Sequence, residues 1–416
     1  MFKNNQTVFL LGAGASWHYG YPTGEELVRS VKLKARFASD YFHTVLNQNL
    51  SVIAARPNFI RRNSPDPVPD GVQGFIREWN TAIQECNELI ERLNAADPLV
   101  IDYFLGHNPH LADMGKLLIA WVLLEREAIY NQHGLNTNRH NILINPDSVG
   151  LTHETNEVRN LKRLQENDNW YRFVIHRLVS GCENSGDLLQ SRVKFVTFNY
   201  DVSLEYHLFR GLSALKLFAK DDTISSFFDD RVIHVYGKIR ENALEQPRPL
   251  TYGLFRDVNI FPMVQVGAPD LWPMAKEFFD TVYEASKGIR IIAPSEKLNP
   301  SVELAARAIE EAGCIYILGY GFDQNNSTLL RLKSSLNLGK TRKTVLFTNF
   351  GDHNLINKTV SQLFFGRVDQ LRTGSSSILG NIPELFYCEK STRNVYDAFA
   401  YDFDAPEERV LATSQI

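Results

Sequence analysis

Cysteine is scarce in this chain, and no two cysteines are close enough in sequence to suggest a metal-binding pair. The 416 residues contain four of them, Cys86, Cys182, Cys314 and Cys388. Zinc ribbons and disulfide frameworks both depend on closely spaced cysteines, so the sequence favours neither. We therefore expect a reducing, cytoplasmic location and no bound metal.

Long apolar runs and an excess of one charge are missing as well. Runs such as residues 117–124 are far shorter than the roughly 20 residues needed to cross a bilayer. Residues 1–7 are polar and lead straight into an apolar segment, a pattern unlike that of a signal peptide. Lysine and arginine number 44 against 48 aspartates and glutamates, a net charge of -4. This even balance gives no reason to expect a membrane or direct nucleic-acid binding.

Strand-like and helical segments alternate over much of the chain. Residues 7–11 form an apolar run of strand type, and Thr23 is a predicted N-cap for a helix over 25–36. Further strand-like runs occur at 193–198, 232–236, 289–293, 315–318 and 345–347, and helical patterns at 202–212, 301–312 and 327–336 separate several of them. The alternation predicts an α/β fold with a doubly wound, mostly parallel, Rossmann-like sheet.

A long helical segment interrupts this pattern. The stretches 72–93, 111–132 and 170–182 repeat apolar residues at three and four positions, which is typical of amphipathic helices. Because strand-like runs lie on both sides, we predict that residues 37–187 are a helical insert in one α/β domain. That domain comprises residues 1–36 and 188–390, and a C-terminal tail covers 391–416.

Small residues follow the first predicted strand. Gly12, Ala13, Gly14 and Ser16 would let the backbone approach a pyrophosphate, although a tight turn without a ligand explains them equally well. A dehydrogenase fingerprint needs glycine where this chain has Trp17, which argues against hydride transfer.

A second polar motif follows another predicted strand, at residues 197–201. Asn199 and Asp201 lie at a strand's carboxyl end, where open α/β sheets bind ligands. The alternative is an Asx turn that starts the helix at 202–212.

Together these motifs resemble the sirtuin-like NAD-binding fold. Residues 12–16, Pro22, 197–201 and 318–323 occur in the order and approximate spacing of that family. The chain resembles the bacterial sirtuin-like NADases of antiphage defence more than the deacetylases. The resemblance covers residues 1–36 and 188–390 and leaves the helical insert unmatched.

The resemblance implies a site for each motif. Asn199 would lie beside the nicotinamide ribose and Asp201 near the carboxamide. Further dinucleotide contacts would come from Gly12, Ala13, Gly14, Ser16, Pro22, Thr23, Tyr236, Gly319, Gly321, Phe322 and Asn349. Relatives usually carry histidine directly before a glycine on the next strand, but here Tyr236 precedes Gly237 and His234 is two residues earlier. Since strand side chains alternate, His234 would share a face with Tyr236, and we take it as the general base with Tyr236 in reserve. Other histidines, such as His18, are interpreted as surface or packing residues.

The implied activity is hydrolysis of NAD to nicotinamide and ADP-ribose by an antiphage effector, with NAD as substrate and no metal. Asn199, Asp201 and His234 are the predicted catalytic residues. The alternatives are a sirtuin-like protein deacylase and a non-catalytic sensor of NAD or ADP-ribose. Deacylation is disfavoured because the zinc-binding cysteine pairs are missing and residues 20–24 replace the deacylase loop. The resemblance also implies a homo-oligomer and a possible hexameric ATPase partner of the HerA class, and we expect the insert to serve assembly and control.

Overall fold

The protein contains a parallel β-sheet whose strand order reverses once. The computed structural model describes residues 6–47, 57–61, 71–134, 169–218, 223–239, 272–292, 299–337, 343–365 and 386–403. The strands are β1 Thr7–Leu11, β2 Val193–Thr197, β3 Val232–His234, β4 Cys314–Leu318, β5 Lys343–Thr348 and β6 Phe386–Ser391. Their order is β3-β2-β1-β4-β5-β6, with every pair parallel. This order defines a Rossmann-like α/β sheet with its switch point between β1 and β4.

Burial on both faces explains why the central strands are continuously apolar. All five residues of β1 are buried, and so are those of β4. In register, Phe9 of β1 lies between Phe195 and Tyr316, and its ring stacks on theirs at centroid distances of 5.2 and 4.8 Å. A slip of one residue would turn these rings to the opposite face, so the aromatic row helps to set the register of the three strands.

The described α-helices lie between and beyond these strands along the chain. They are α1 Ala13–Ser16, α2 Gly24–Leu46, α3 Asn58–Arg61, α4 Gly71–Ala96, α5 Ile101–His107, α6 Ala112–Gly134, α7 Tyr171–Val179, α8 Ser203–Ser213, α9 Thr223–Asp229, α10 Trp272–Ser286, α11 Pro300–Glu311, α12 Gln324–Leu329, α13 Leu332–Asn337, α14 Asn354–Phe365 and α15 Val395–Asp397. Short 3-10 helices lie at Trp17–Tyr19, Pro109–Leu111 and Ser185–Gln190, and a π-helix at Ala398–Asp402. No helix in the described ranges is long and apolar enough to cross a membrane.

Several predicted elements are confirmed with adjusted ends. The predicted N-cap of α2 forms a capping box, in which the N–H of Thr23 donates to Glu26 Oε2 at 2.7 Å. That helix continues to Leu46, through the boundary predicted at residue 36. The helix predicted at 327–336 is divided between α12 and α13, because Arg331 between them has a left-handed φ of +51°.

Two differences concern strands. The strand predicted at 289–293 is wrong over its described part, since residues 290–292 are not in a strand and Ile289 forms only an isolated antiparallel bridge with Gly237. This part of the chain runs beside the residues that follow β3, where Arg290 N–H donates to the carbonyl of Tyr236 at 2.8 Å. The edge strand β6 was not predicted. The chain after it packs into the core through Ala398, Phe399 and Phe403, although this region was assigned to the tail.

The helical segment shares one hydrophobic core with the sheet. Helices α2, α4 and α6 pack together, and α10, from the other side of the sequence, joins them through contacts of Phe279 with Tyr41, Phe42 and Trp121. The buried residues of both parts form a single cluster. The division into a domain and an insert stays a prediction.

Candidate functional site

A cleft of about 1890 Å³ opens at the carboxyl ends of the strands, over the switch point of the sheet. The loops after β1, β2, β4 and β5 contribute to it, together with residues 99–102 of the helical segment. It is lined by all but one of the residues that the sequence analysis selected, namely Gly12, Ala13, Gly14, Ser16, Pro22, Thr23, Asn199, Asp201, Tyr236, Gly319, Gly321, Phe322 and Asn349. The exception is His234.

The glycines of the first loop have a packing role. Gly12 and Gly14 N–H groups donate to the carbonyls of Leu318 and Gly319, both at 3.0 Å. A Cβ on Gly12 would lie 2.5 Å from the Gly319 oxygen, and one on Gly319, whose φ is +57°, would lie 2.1 Å from the Ala15 nitrogen. The backbones of the two loops therefore touch directly, which accounts for the glycines without a ligand.

Asn199 is held in place by hydrogen bonds from both its side chain and its backbone. Its side-chain Nδ2 donates to the Gly12 carbonyl at 3.0 Å and to Ser16 Oγ at 2.8 Å, while its backbone N–H donates to Thr197 Oγ1 at 3.0 Å. Because a carbonyl needs a donor, these bonds fix which side-chain atom is nitrogen. Oδ1 is left without a hydrogen-bond partner in the described part of the chain, in a residue that lines the cleft.

Asp201 has a structural role as well as a place in the cleft. Its Oδ1 accepts from the backbone N–H of Ser203 at 2.9 Å, which is the Asx turn that starts α8. Burial raises the pKa of this carboxyl, while hydrogen bonds from Ser203 and Ser16 and the nearby His234 oppose the rise. Asp201 therefore forms the Asx turn that the sequence analysis gave as the alternative, and it also lies in the cleft where the catalytic role was predicted.

His234 lies behind the cleft wall. Its Nδ1 faces the Asn199 carbonyl and its Nε2 faces Glu205 Oε1, each at 2.9 Å. Burial alone would raise the pKa of Glu205, but His234 and Lys238 lower it to about 2, so this partner is an anion. Both ring nitrogens thus face acceptors within the protein. A role for His234 as general base would need one of these contacts to be given up.

The prediction that His234 and Tyr236 share one face of a strand is wrong, because it requires β3 to continue through Tyr236. The strand ends at His234, and residues 235 and 236 form a turn. The turn directs Tyr236 into the cleft, where its hydroxyl donates to Asn326 Oδ1 at 2.5 Å. Its ring packs near Phe198, which in turn stacks on Tyr320 at a centroid distance of 5.4 Å.

Asn349 lines the cleft, but its side chain is used within its own turn. Its Nδ2 donates to the His353 carbonyl at 3.1 Å and to Asn357 Oδ1 at 2.9 Å, and its Oδ1 accepts from the His353 N–H at 3.1 Å. The dinucleotide contact predicted for Asn349 would therefore have to use the second lone pair of Oδ1 or displace one of these bonds.

Two titratable residues in the cleft were not selected from the sequence. His18 is 2% exposed, burial lowers its pKa to about 4, and its Nδ1 has no partner among the described residues. Asp102, at the start of α5, is 9% exposed and also has an unpartnered buried oxygen. No motif marks either residue, and only tertiary packing brings them to the cleft. Cationic groups line the cleft as well, from Arg331, Lys333 and Arg393.

Within the described residues, no group of three or more His, Cys, Asp or Glu side chains is arranged to hold a metal ion. No protein-family model matches the chain, and comparisons with curated proteins and with solved structures found no match. Fold and site together define a Rossmann-like α/β protein with a large cleft at its switch point.

Proposed function

We propose that this chain is an NAD glycohydrolase, which cleaves the bond between nicotinamide and ribose to give nicotinamide and ADP-ribose. The observation that carries the proposal is the rigidly held Asn199, whose Oδ1 is left open at the switch point of a Rossmann-like sheet. Dinucleotides bind at that point in open α/β sheets. The motifs that resemble the sirtuin-like family meet there in one cleft.

The size and charge of the cleft support a dinucleotide substrate. Its volume of about 1890 Å³ exceeds the 300–1,000 Å³ usual for a pocket that holds a drug-sized ligand. Lys333 has no ion pair within the described ranges, whereas Arg393 is paired with Asp402 at 3.3 Å. Lys333 is thus the cation best suited to meet a phosphate. The N–H groups of Gly12, Gly14 and Ala15 are already engaged within the protein, so side chains must supply much of the phosphate recognition.

The chemistry needs a fixed sugar and a fixed leaving group. Glycosidic cleavage passes through an oxocarbenium-like sugar, and its cost falls when polar groups are already aimed at the reacting atoms. In our proposal Asn199 Oδ1 accepts from a hydroxyl of the nicotinamide ribose or from the attacking water, and Asp201 contacts the carboxamide. His234 acts through Asn199, because it binds the backbone carbonyl of that residue. The proposal also includes action in phage defence, homo-oligomerisation and a HerA-class ATPase partner. These three parts rest on the resemblance alone.

The test is nicotinamide release from NAD by the purified chain, compared with the Asn199→Ala variant. We expect the variant to lose about 10²–10³-fold in turnover, as is usual when one positioning group is removed. It should stay folded, with a loss of about 1–3 kcal/mol from the two side-chain hydrogen bonds to the Gly12 carbonyl and to Ser16 Oγ. Asn87→Ala is the matched control, since the Asn87 side chain is also hydrogen-bonded, with its Oδ1 accepting from Ser39 Oγ at 2.9 Å, and lies outside the cleft lining.

Each other outcome points to a different function. Near-normal release by Asn199→Ala would refute the role of this residue. Binding of NAD without cleavage by the wild type would favour a sensor. NAD consumption only in the presence of an acyl-lysine peptide would favour a deacylase.

A further inference from the structure

Asp102 is a buried acid that lines the cleft from the helical segment. It lies in the first turn of α5, in the helical segment where no motif residue was predicted, and it lines the cleft. The residue is 9% exposed, and its Oδ1 is buried without a hydrogen-bond partner. An unpartnered carboxylate oxygen at such a depth is costly, so it calls for an explanation.

The surroundings of Asp102 do little to favour its charged form. Burial raises its pKa to about 7, the hydrogen bond from its own backbone N–H opposes the rise, and the charge of Asp323 adds to it. No cation of the described chain pairs with Asp102. On the neighbouring helices α2 and α6, Glu26 binds Thr23 and Lys116 binds Asp113. The carboxyl is therefore suited to exchange a proton near neutral pH.

Asp102 also faces the residues of the α/β part. The charge of Asp102 helps to raise the pKa of Tyr236, and the charge of Asp323 helps to raise the pKa of Asp102. All three residues line the cleft. A substrate in this cleft would share it with both the strand-end residues and this carboxyl.

We propose that Asp102 is the general base that activates the water in NAD hydrolysis, an inference that rests on the proposed function. The bond between the ribose C1′ and the nicotinamide nitrogen breaks, and its electron pair stays on nicotinamide. The water oxygen bonds to C1′, and one water proton passes to the Asp102 carboxylate, which later releases it to solvent. The helical segment thus supplies a catalytic residue as well as a wall.

Rescue of activity by azide distinguishes a general base from a residue that only supports the fold. Azide is an anionic nucleophile with no proton to remove, so it does not need a general base. The experiment measures nicotinamide release and the ADP-ribose product for the wild type, Asp102→Asn and Asp102→Glu, with and without sodium azide, and measures NAD affinity by calorimetry. Asp113→Asn is the matched control, because Asp113 lies in the first turn of α6 and outside the cleft lining.

We expect Asp102→Asn to bind NAD like the wild type and to lose about 10²–10⁴-fold in hydrolysis. Azide should raise nicotinamide release by Asp102→Asn at least about tenfold, with ADP-ribosyl azide as product, and should have little effect on the wild type. Asp102→Glu should keep more hydrolysis than Asp102→Asn. The base role is overturned if azide does not rescue a variant that binds NAD, if the variant no longer binds NAD, or if it hydrolyses NAD like the wild type. A wild type that releases no nicotinamide overturns the proposed function, and the base role with it.

Discussion

Replacing Asp102 with asparagine should stabilise the protein, and the gain should grow as the pH rises. In the folded chain burial raises the pKa of this carboxyl to about 7, from an ordinary value of 3.8. Between these two values the folded state binds a proton that the unfolded state has lost, so raising the pH favours unfolding. The stability is fully present below pH 3.8 and is lost as the pH rises to about 7. Asparagine has the same shape and does not titrate.

The size of the effect follows from the gap between the two pKa values. Three pH units at 1.36 kcal/mol each give a cost of about 4 kcal/mol for the wild-type carboxyl at pH 8. At pH 5 most of that cost has not yet developed, so the advantage of the variant should grow by about 2–3 kcal/mol between pH 5 and pH 8.

Urea unfolding at pH 5, 6, 7 and 8 measures this difference directly. Asp113→Asn controls for the loss of one negative charge, because that side chain is 58% exposed. A difference between the wild type and Asp102→Asn that stays constant with pH would refute the reasoning, since it would mean that the carboxyl titrates alike in the folded and unfolded states. The measurement needs no substrate and is therefore independent of the proposed activity.

Two further predictions concern residues that hold the site together. His234→Ala should lower the free energy of unfolding by about 3–5 kcal/mol, because among the described residues it leaves Glu205 buried with Lys238, at 3.5 Å, as its one cationic partner, whereas Tyr236→Phe should cost about 1 kcal/mol. In the nicotinamide assay His234→Ala should also lose more turnover, and equal effects of the two variants on stability and turnover would contradict the positioning role of His234. Gly319→Ala should cost about 2–5 kcal/mol in chemical denaturation, from its left-handed φ and the contact with Ala15. Gly321→Ala, whose Cβ would meet nothing within 4 Å, is its control, and similar losses at both positions would show that the loop contact is unimportant.

The sequence predicted the sheet and the convergence of its motifs because both depend on local patterns. Apolar runs identify strands, and parallel strands place their carboxyl ends at one edge, so Gly12, Asn199 and Gly319 were expected to meet. The end of a strand is harder to predict. β3 stops at His234, two residues earlier than its apolar pattern suggests, and that difference decides which side chain enters the cleft.

The residues that were missed depend on packing over long sequence distances. Asp102 belongs to a helical segment with no recognisable motif, and only the packing of α5 against α2 and α6 brings it to the cleft. His18 follows the glycine loop, but an isolated histidine beside Trp17 gives no pattern from which burial can be inferred. The edge strand β6 escaped for another reason, since half of its sequence, FYCEKS, is polar.

The backbone contact between the loops after β1 and β4 should also shape how the protein tolerates mutation. A side chain at Gly12 would strike the Gly319 oxygen at 2.5 Å, and one at Gly319 would strike the Ala15 nitrogen at 2.1 Å, so either change requires the same separation of the two loops. Once one substitution has moved the loops apart, the second meets less resistance, and the double variant should lose less stability than the sum of the single variants. Either substitution alone costs a large part of the stability. We therefore expect that related sequences which keep one of these glycines also keep the other.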